Sequence, residues 1–147
     1  MNTFNTLLMT GIFISLASPS QAQIKTTQVD ALVEALRLSA PPNKPKDGMY
    51  SDWQVLPGII PDWSKRCTGK AMTPEQFEKE SLKARKVVSC IVKRELQTQQ
   101  NETKNEEKAV RQTACWWMTG KPKECQSGTT AIYVQKVLDL YKKQLKS

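Results

Sequence analysis

The stretch from Ala109 to Cys125, AVRQTACWWMTGKPKEC, combines a helix end, two adjacent tryptophans, a stop signal and a closing cysteine. Gly120 accepts the left-handed conformation that ends a helix at low steric cost. Pro122 cannot continue one, because its ring fixes φ and removes a backbone donor. The helix is therefore predicted to close at about Thr119. Upstream, Val110, Ala114 and Trp117 recur at helical spacing, Trp116 lies roughly 100° round the barrel, and Met118 falls on the other flank. Bulky apolar groups on two sides of a helix imply burial on two sides. The spacing thus places this helix at the centre of the core, with Trp116 and Trp117 as packing residues. The functional alternative leaves one of them exposed as a stacking surface for a sugar or an aromatic ligand.

At 147 residues the chain has room for one domain. Its beginning reads differently from the rest. Leu7 to Ala17 (LLMTGIFISLA) is an apolar run of the length of a secretory signal core, and Ser20-Gln21-Ala22 is a small-x-small cleavage site. Met1 to Ala22 is read as a signal peptide that is removed, and the protein as exported, periplasmic or secreted. The positive n-region rests on the α-amino group alone, since Met1 to Thr6 carries no Lys or Arg. The run is too short to cross a bilayer, so no transmembrane segment is expected in the mature protein.

Four cysteines, Cys67, Cys90, Cys115 and Cys125, point to two disulfides in an exported chain of this size. Cys90 and Cys115 lie about equally far from the polar stretch Gln97 to Asn105, which is read as the hairpin turn, so a helix hairpin would set them at one level. That favours Cys90–Cys115 nested inside Cys67–Cys125, and loop-closure entropy favours it by on the order of a kcal/mol. The alternative is the local scheme, Cys67–Cys90 with Cys115–Cys125.

The sequence contains no histidine. Ser-His-Asp and Cys-His nucleophile pairs, His-ligated zinc and c-type haem attachment are thereby excluded. Neither Cys-x-x-Cys nor Ser-x-x-Lys occurs. No catalytic residue, metal ligand set or cofactor is assigned. The formal net charge of +8 remains after loss of the leader, which has no charged side chain. A basic exported domain is drawn to polyanions: acidic wall polymers, anionic lipid headgroups, or nucleic acid passing through the envelope. No specific nucleic-acid motif is present.

Along the mature chain, Thr26 or Thr27 is placed to cap a short helix with Val29, Leu32, Val33 and Leu36 on one face. It ends before a Pro-rich linker, Pro41 to Asp47, which allows either a mobile arm or docking on the core, and the apolar stripe favours docking. Residues 23–47 are read as this helix and linker, and 48–147 as a single helical domain. From Gly48 to Lys70 the chain reads as an irregular Pro/Gly/Trp arm, with a type II turn signal at Pro57-Gly58. It carries Asp52-Trp53 and Asp62-Trp63. Trp53 and Trp63 suit either ligand stacking or stapling of the arm over a bundle, and Asp52 and Asp62 are the one carboxylate pair with Trp neighbours.

The next helix begins at Thr73, where Thr73-Pro74-Glu75-Gln76 combines a capping box with Pro at the first helical position. Phe77, Ala84, Val87, Val88, Ile91 and Val92 form its apolar face. Lys79, Lys83, Lys86, Lys93 and Arg94 form the opposite stripe, the candidate anion-contacting surface. Cys90 sits on that stripe, so its bond marks where a second element crosses the basic side. A last helix runs from about Ser127 to Leu145, with Val134, Val137, Leu138, Tyr141 and Leu145 expected inward.

The expected fold is all-α: a disulfide-stabilised bundle of three main helices plus a short N-terminal helix, with the arm wrapped over it. The expected function is that of an exported non-enzymatic binding or accessory protein of the cell envelope, contacting an anionic polymer, a lipid surface or an envelope protein. A carboxylate-dependent enzyme acting on cell-wall glycan and a periplasmic chaperone or inhibitor are the alternatives.

Overall fold

The computed structural model describes residues 21–147, so nearly all of the predicted leader lies outside the described residues. The described residues form six α-helices: α1 (Thr26–Ser39), α2 (Ile60–Thr68), α3 (Pro74–Lys79), α4 (Ser81–Thr103), α5 (Glu106–Thr119) and α6 (Gly128–Gln144). A single 3-10 turn, Pro57–Ile59, precedes α2. The all-α class is as expected, but the division is finer than three helices plus one. The arm itself contains α2, and the helix expected from Thr73 is split in two. No helix among the described residues is long and apolar enough to cross a membrane.

α1, rather than the helix that carries Trp116 and Trp117, occupies the centre of the core. Ala31, Leu32, Val33, Ala35 and Leu36 are all buried, and the last four are fully so. They span more than half of the helix circumference, because α1 packs on α4 and α6 and is roofed by the arm. Burial of Leu32 and Leu36 contributes roughly 2 kcal/mol each, enough to hold a short helix that would not persist alone. Lys25, not Thr26 or Thr27, is the N-cap residue, and the Gln28 side chain accepts its backbone N–H at 2.8 Å.

The capping box at Thr73 forms as read: Thr73 Oγ1 accepts from Gln76 N at 3.2 Å and Gln76 Oε1 accepts from Thr73 N at 3.0 Å. After six helical residues the helix breaks at Glu80 (φ −102°, ψ 68°), where no Gly or Pro stands. The break separates Lys79 from the rest of the basic stripe. α4 then runs to Thr103, through most of the stretch expected to be a polar turn, because Gln and Glu extend a helix readily. Lys104 takes the left-handed cap conformation, and Asn105 caps α5 by accepting Lys108 N at 2.9 Å. α5 ends at Thr119 on Gly120 (φ 76°), whose N–H donates to Trp116 O at 2.7 Å.

The disulfides are the local pairs Cys67–Cys90 and Cys115–Cys125, with Cα separations of 5.9 and 5.7 Å. This corrects the nested scheme. Equal distance from the turn puts Cys90 and Cys115 at one level, but Cys90 projects from the face of α4 opposite Ala84, Val88 and Val92. There it meets α2, which crosses the basic side as the position of Cys90 implied. Cys115 instead closes the loop between α5 and α6.

Candidate functional site

The arm builds one wall of the site. Tyr50 and Val55 exchange backbone hydrogen bonds at 3.0 and 2.9 Å, enclosing the loop Ser51-Asp52-Trp53-Gln54. Ser51 (φ 65°) and Gln54 (φ 53°) are both left-handed, which costs non-glycine residues on the order of 1 kcal/mol each. Glu78 on α3 secures the loop, accepting from Ser51 N and, at 2.6 Å, from Asn43 Nδ2. Asn43 Oδ1 in turn accepts from Gln54 Nε2 at 3.1 Å. The loop drives Trp53 inward to 4% exposure, and its indole N–H donates to Val33 O at 2.9 Å. Trp53 is thus the staple of the arm, with only a small edge of its ring left accessible.

The second wall comes from α2 and α5. Trp63 stacks on Trp116 with ring centroids 6.1 Å apart and planes inclined by 22°, and meets Trp117 at 5.6 Å and 43°. Trp116 and Trp117 meet edge-on at 6.4 Å. All three indoles are half-buried, so the two tryptophans of α5 pack as expected while leaving ring surface accessible. Cys67–Cys90 lies one turn beyond Trp63, and Cys115–Cys125 begins beside Trp116, so both disulfides brace this cluster.

Between the walls lies a groove of about 270 Å³, lined by Trp53, Val55, Trp63, Trp117 and Tyr133 and rimmed by Leu56, Ile59 and Met118. The rim is exposed, at 57%, 36% and 47% respectively. Among the described residues no acidic or basic side chain lines it, and burial pushes the Tyr133 phenol above its ordinary range and keeps it neutral. Among the described residues nothing bonds the indole N–H groups of Trp63 and Trp117 or the Tyr133 hydroxyl. The groove therefore offers an uncharged aromatic surface with donor groups awaiting acceptors.

The other predicted residues lie elsewhere. Lys79, Lys83, Lys86, Lys93 and Arg94 are all exposed, and Lys83 pairs with Glu80. α2 crosses the middle of the stripe at Cys90. Asp62 pairs with Arg66 at 2.9 Å, while Asp52 is exposed; neither lines the groove. Among the described residues no group of three His, Cys, Asp or Glu is placed to hold a metal ion. Sequence reasoning misses Leu56, Ile59, Met118 and Tyr133 as members of the groove. The Leu-Pro-Gly-Ile-Ile run is legible as an apolar turn, but nothing in it distinguishes exposed from buried members.

Comparison with protein-family models, with curated proteins and with solved structures finds no match to this chain.

Proposed function

We propose that this protein is an exported, non-enzymatic binding protein of the cell envelope that takes hold of a partner protein through the indole-lined groove. The observation that carries this reading is the exposed apolar rim. Leu56, Ile59 and Met118 stand in solvent around an uncharged aromatic floor, and an apolar surface of that kind costs free energy until something covers it. A small ligand seated on the floor would leave the rim wet. A protein surface covers both, and interface cores are rich in aromatic residues and Met and poor in charge. The strained Ser51 and Gln54 conformations, held by Glu78, further support a functional wall, because strain of this kind accumulates at binding sites.

The reading is tested with a neutral solvatochromic dye such as Nile red, added to the native oxidised protein. The Leu56→Ser/Ile59→Ser variant is expected to lose most of the dye signal with its circular dichroism unchanged. Leu82→Ser, at a site 84% exposed at the start of α4, is expected to retain it. Equal loss in both variants, or no binding to the native protein, would count against the groove as a binding site.

A further inference from the structure

The groove and the basic side of α4 share one element, and that shared element narrows the kind of partner. Trp63 and Cys67 both belong to α2 and are four residues apart, about 6 Å along the helix. Trp63 meets Trp117 in the groove wall, and Cys67 is bonded to Cys90. Cys90 lies one turn from Lys86 and one turn from Arg94 on the outer face of α4, with Lys93 beside it. The apolar groove and the cationic face are therefore neighbours joined by a disulfide, not opposite sides of the molecule.

The charges on this face are only partly neutralised. Arg66 is held by Asp62, and Lys83 by Glu80. Lys65, Lys86, Lys93 and Arg94 are exposed and have no carboxylate partner among the described residues. Cations left together in this way attract carboxylates over about a Debye length, and they steer as well as hold.

The groove volume of about 270 Å³ is below the roughly 300–1,000 Å³ of a small-molecule pocket and matches the seat of a single large side chain. The unbonded donors of Trp63, Trp117 and Tyr133 suit the backbone carbonyls on either side of such an anchor. Resting on the groove reading above, we propose that the ligand is a peptide segment of a partner protein with a bulky apolar anchor, Trp, Phe or Leu, flanked by Asp or Glu residues. The anchor fills the groove, and its acidic flank lies across α2 onto Lys86, Lys93 and Arg94.

Panning a random twelve-residue peptide library on the immobilised oxidised protein tests this with no partner chosen in advance. Enriched peptides are expected to combine an aromatic or Leu anchor with net negative charge. Synthesised, they should bind about tenfold more weakly to Leu56→Ser/Ile59→Ser and about fivefold more weakly to Lys86→Glu/Lys93→Glu, and weaken as salt is raised. Enrichment of apolar peptides without acidic preference, unaffected by the charge reversal, overturns the acidic flank and leaves the groove reading standing. Peptides indifferent to the rim substitutions overturn both. Absence of enrichment, with salt-sensitive sedimentation on vesicles of anionic phospholipid, also overturns both and assigns the cationic face to a membrane surface.

Discussion

The indole N–H of Trp53 donates to the backbone oxygen of Val33 across 2.9 Å, joining the arm to the middle of α1, twenty residues away in sequence. This bond converts a Pro- and Gly-rich segment into a fixed wall. Its removal should therefore be felt in stability before it is felt in binding. Trp53→Phe keeps most of the ring contact and is expected to cost about 1 kcal/mol, whereas Trp53→Ala, which empties a buried site, is expected to cost about 3–5 kcal/mol. Urea unfolding followed by circular dichroism measures both. Equal, small losses would mean that the arm is not held through this residue.

Peptide mapping of unreduced protein is expected to recover Cys67 with Cys90 and Cys115 with Cys125. The two bridges close segments of 23 and 10 residues. Loss of the first through Cys67→Ser/Cys90→Ser should cost roughly 3 kcal/mol, and loss of the second roughly 0.7 kcal/mol less. A reversed order in denaturant midpoints would show that the short loop carries strain relief or packing beyond chain entropy.

Glu34 links α1 to α4 by accepting from Arg37, at distances down to 2.5 Å, and from Arg85 at 3.4 Å. The hydrogen bond and charge of Arg37, then those of Arg85, hold its carboxyl below the ordinary value of 4.5. A carboxyl whose folded-state pKa is depressed stabilises fully above its unfolded pKa and loses that contribution as pH falls through the folded one. Wild type is thus expected to exceed Glu34→Gln by about 1 kcal/mol at neutral pH. The two melting curves should converge as pH drops below 4.5. A gap that persists in acid would assign the effect to packing.

Gly120 and Gly58 give a paired test of backbone conformation. Among the described residues neither has an atom within 4 Å of the position an added Cβ would take, so sterics with neighbours do not enter. Gly120 has φ 76°, and Gly120→Ala is expected to cost about 1 kcal/mol. Gly58 lies in the 3-10 turn without a positive φ, and Gly58→Ala is expected to stabilise by about 0.5 kcal/mol through the unfolded chain. Thermal melts of both variants check the signs.

Local signals carried much of the helix map. The Gly120 stop, the Thr73 capping box and the start of α6 are each decided by groups within four residues, so they can be read from the chain. The apolar stripe of α1 also foretold docking, since Val29, Leu32, Val33 and Leu36 are all buried. The break at Glu80 was not legible. It lies between residues of ordinary helix propensity, and its effect is to turn α3 so that Glu78 reaches Asn43 and Ser51, more than twenty residues upstream. Of the candidate site, the sequence pointed to Trp63 and Trp117 but could not join them, because stacking between α2 and α5 is a contact between segments some fifty residues apart.

By itself, then, the sequence determined the helical class, most helix ends and the chemistry that a chain without histidine cannot perform, because caps, periodicity and residue inventory act over a single turn or need no geometry at all. Tertiary structure decided the rest. Which cysteines pair depends on the side of α4 that α2 crosses. Trp53 is buried and Ile59 exposed because the arm closes over α1 in one direction and not the other. Whether the basic face adjoins an apolar groove depends on where a nine-residue helix is pinned. These outcomes follow from packing between distant segments, and such packing is specified by the whole set of faces at once rather than by any one of them.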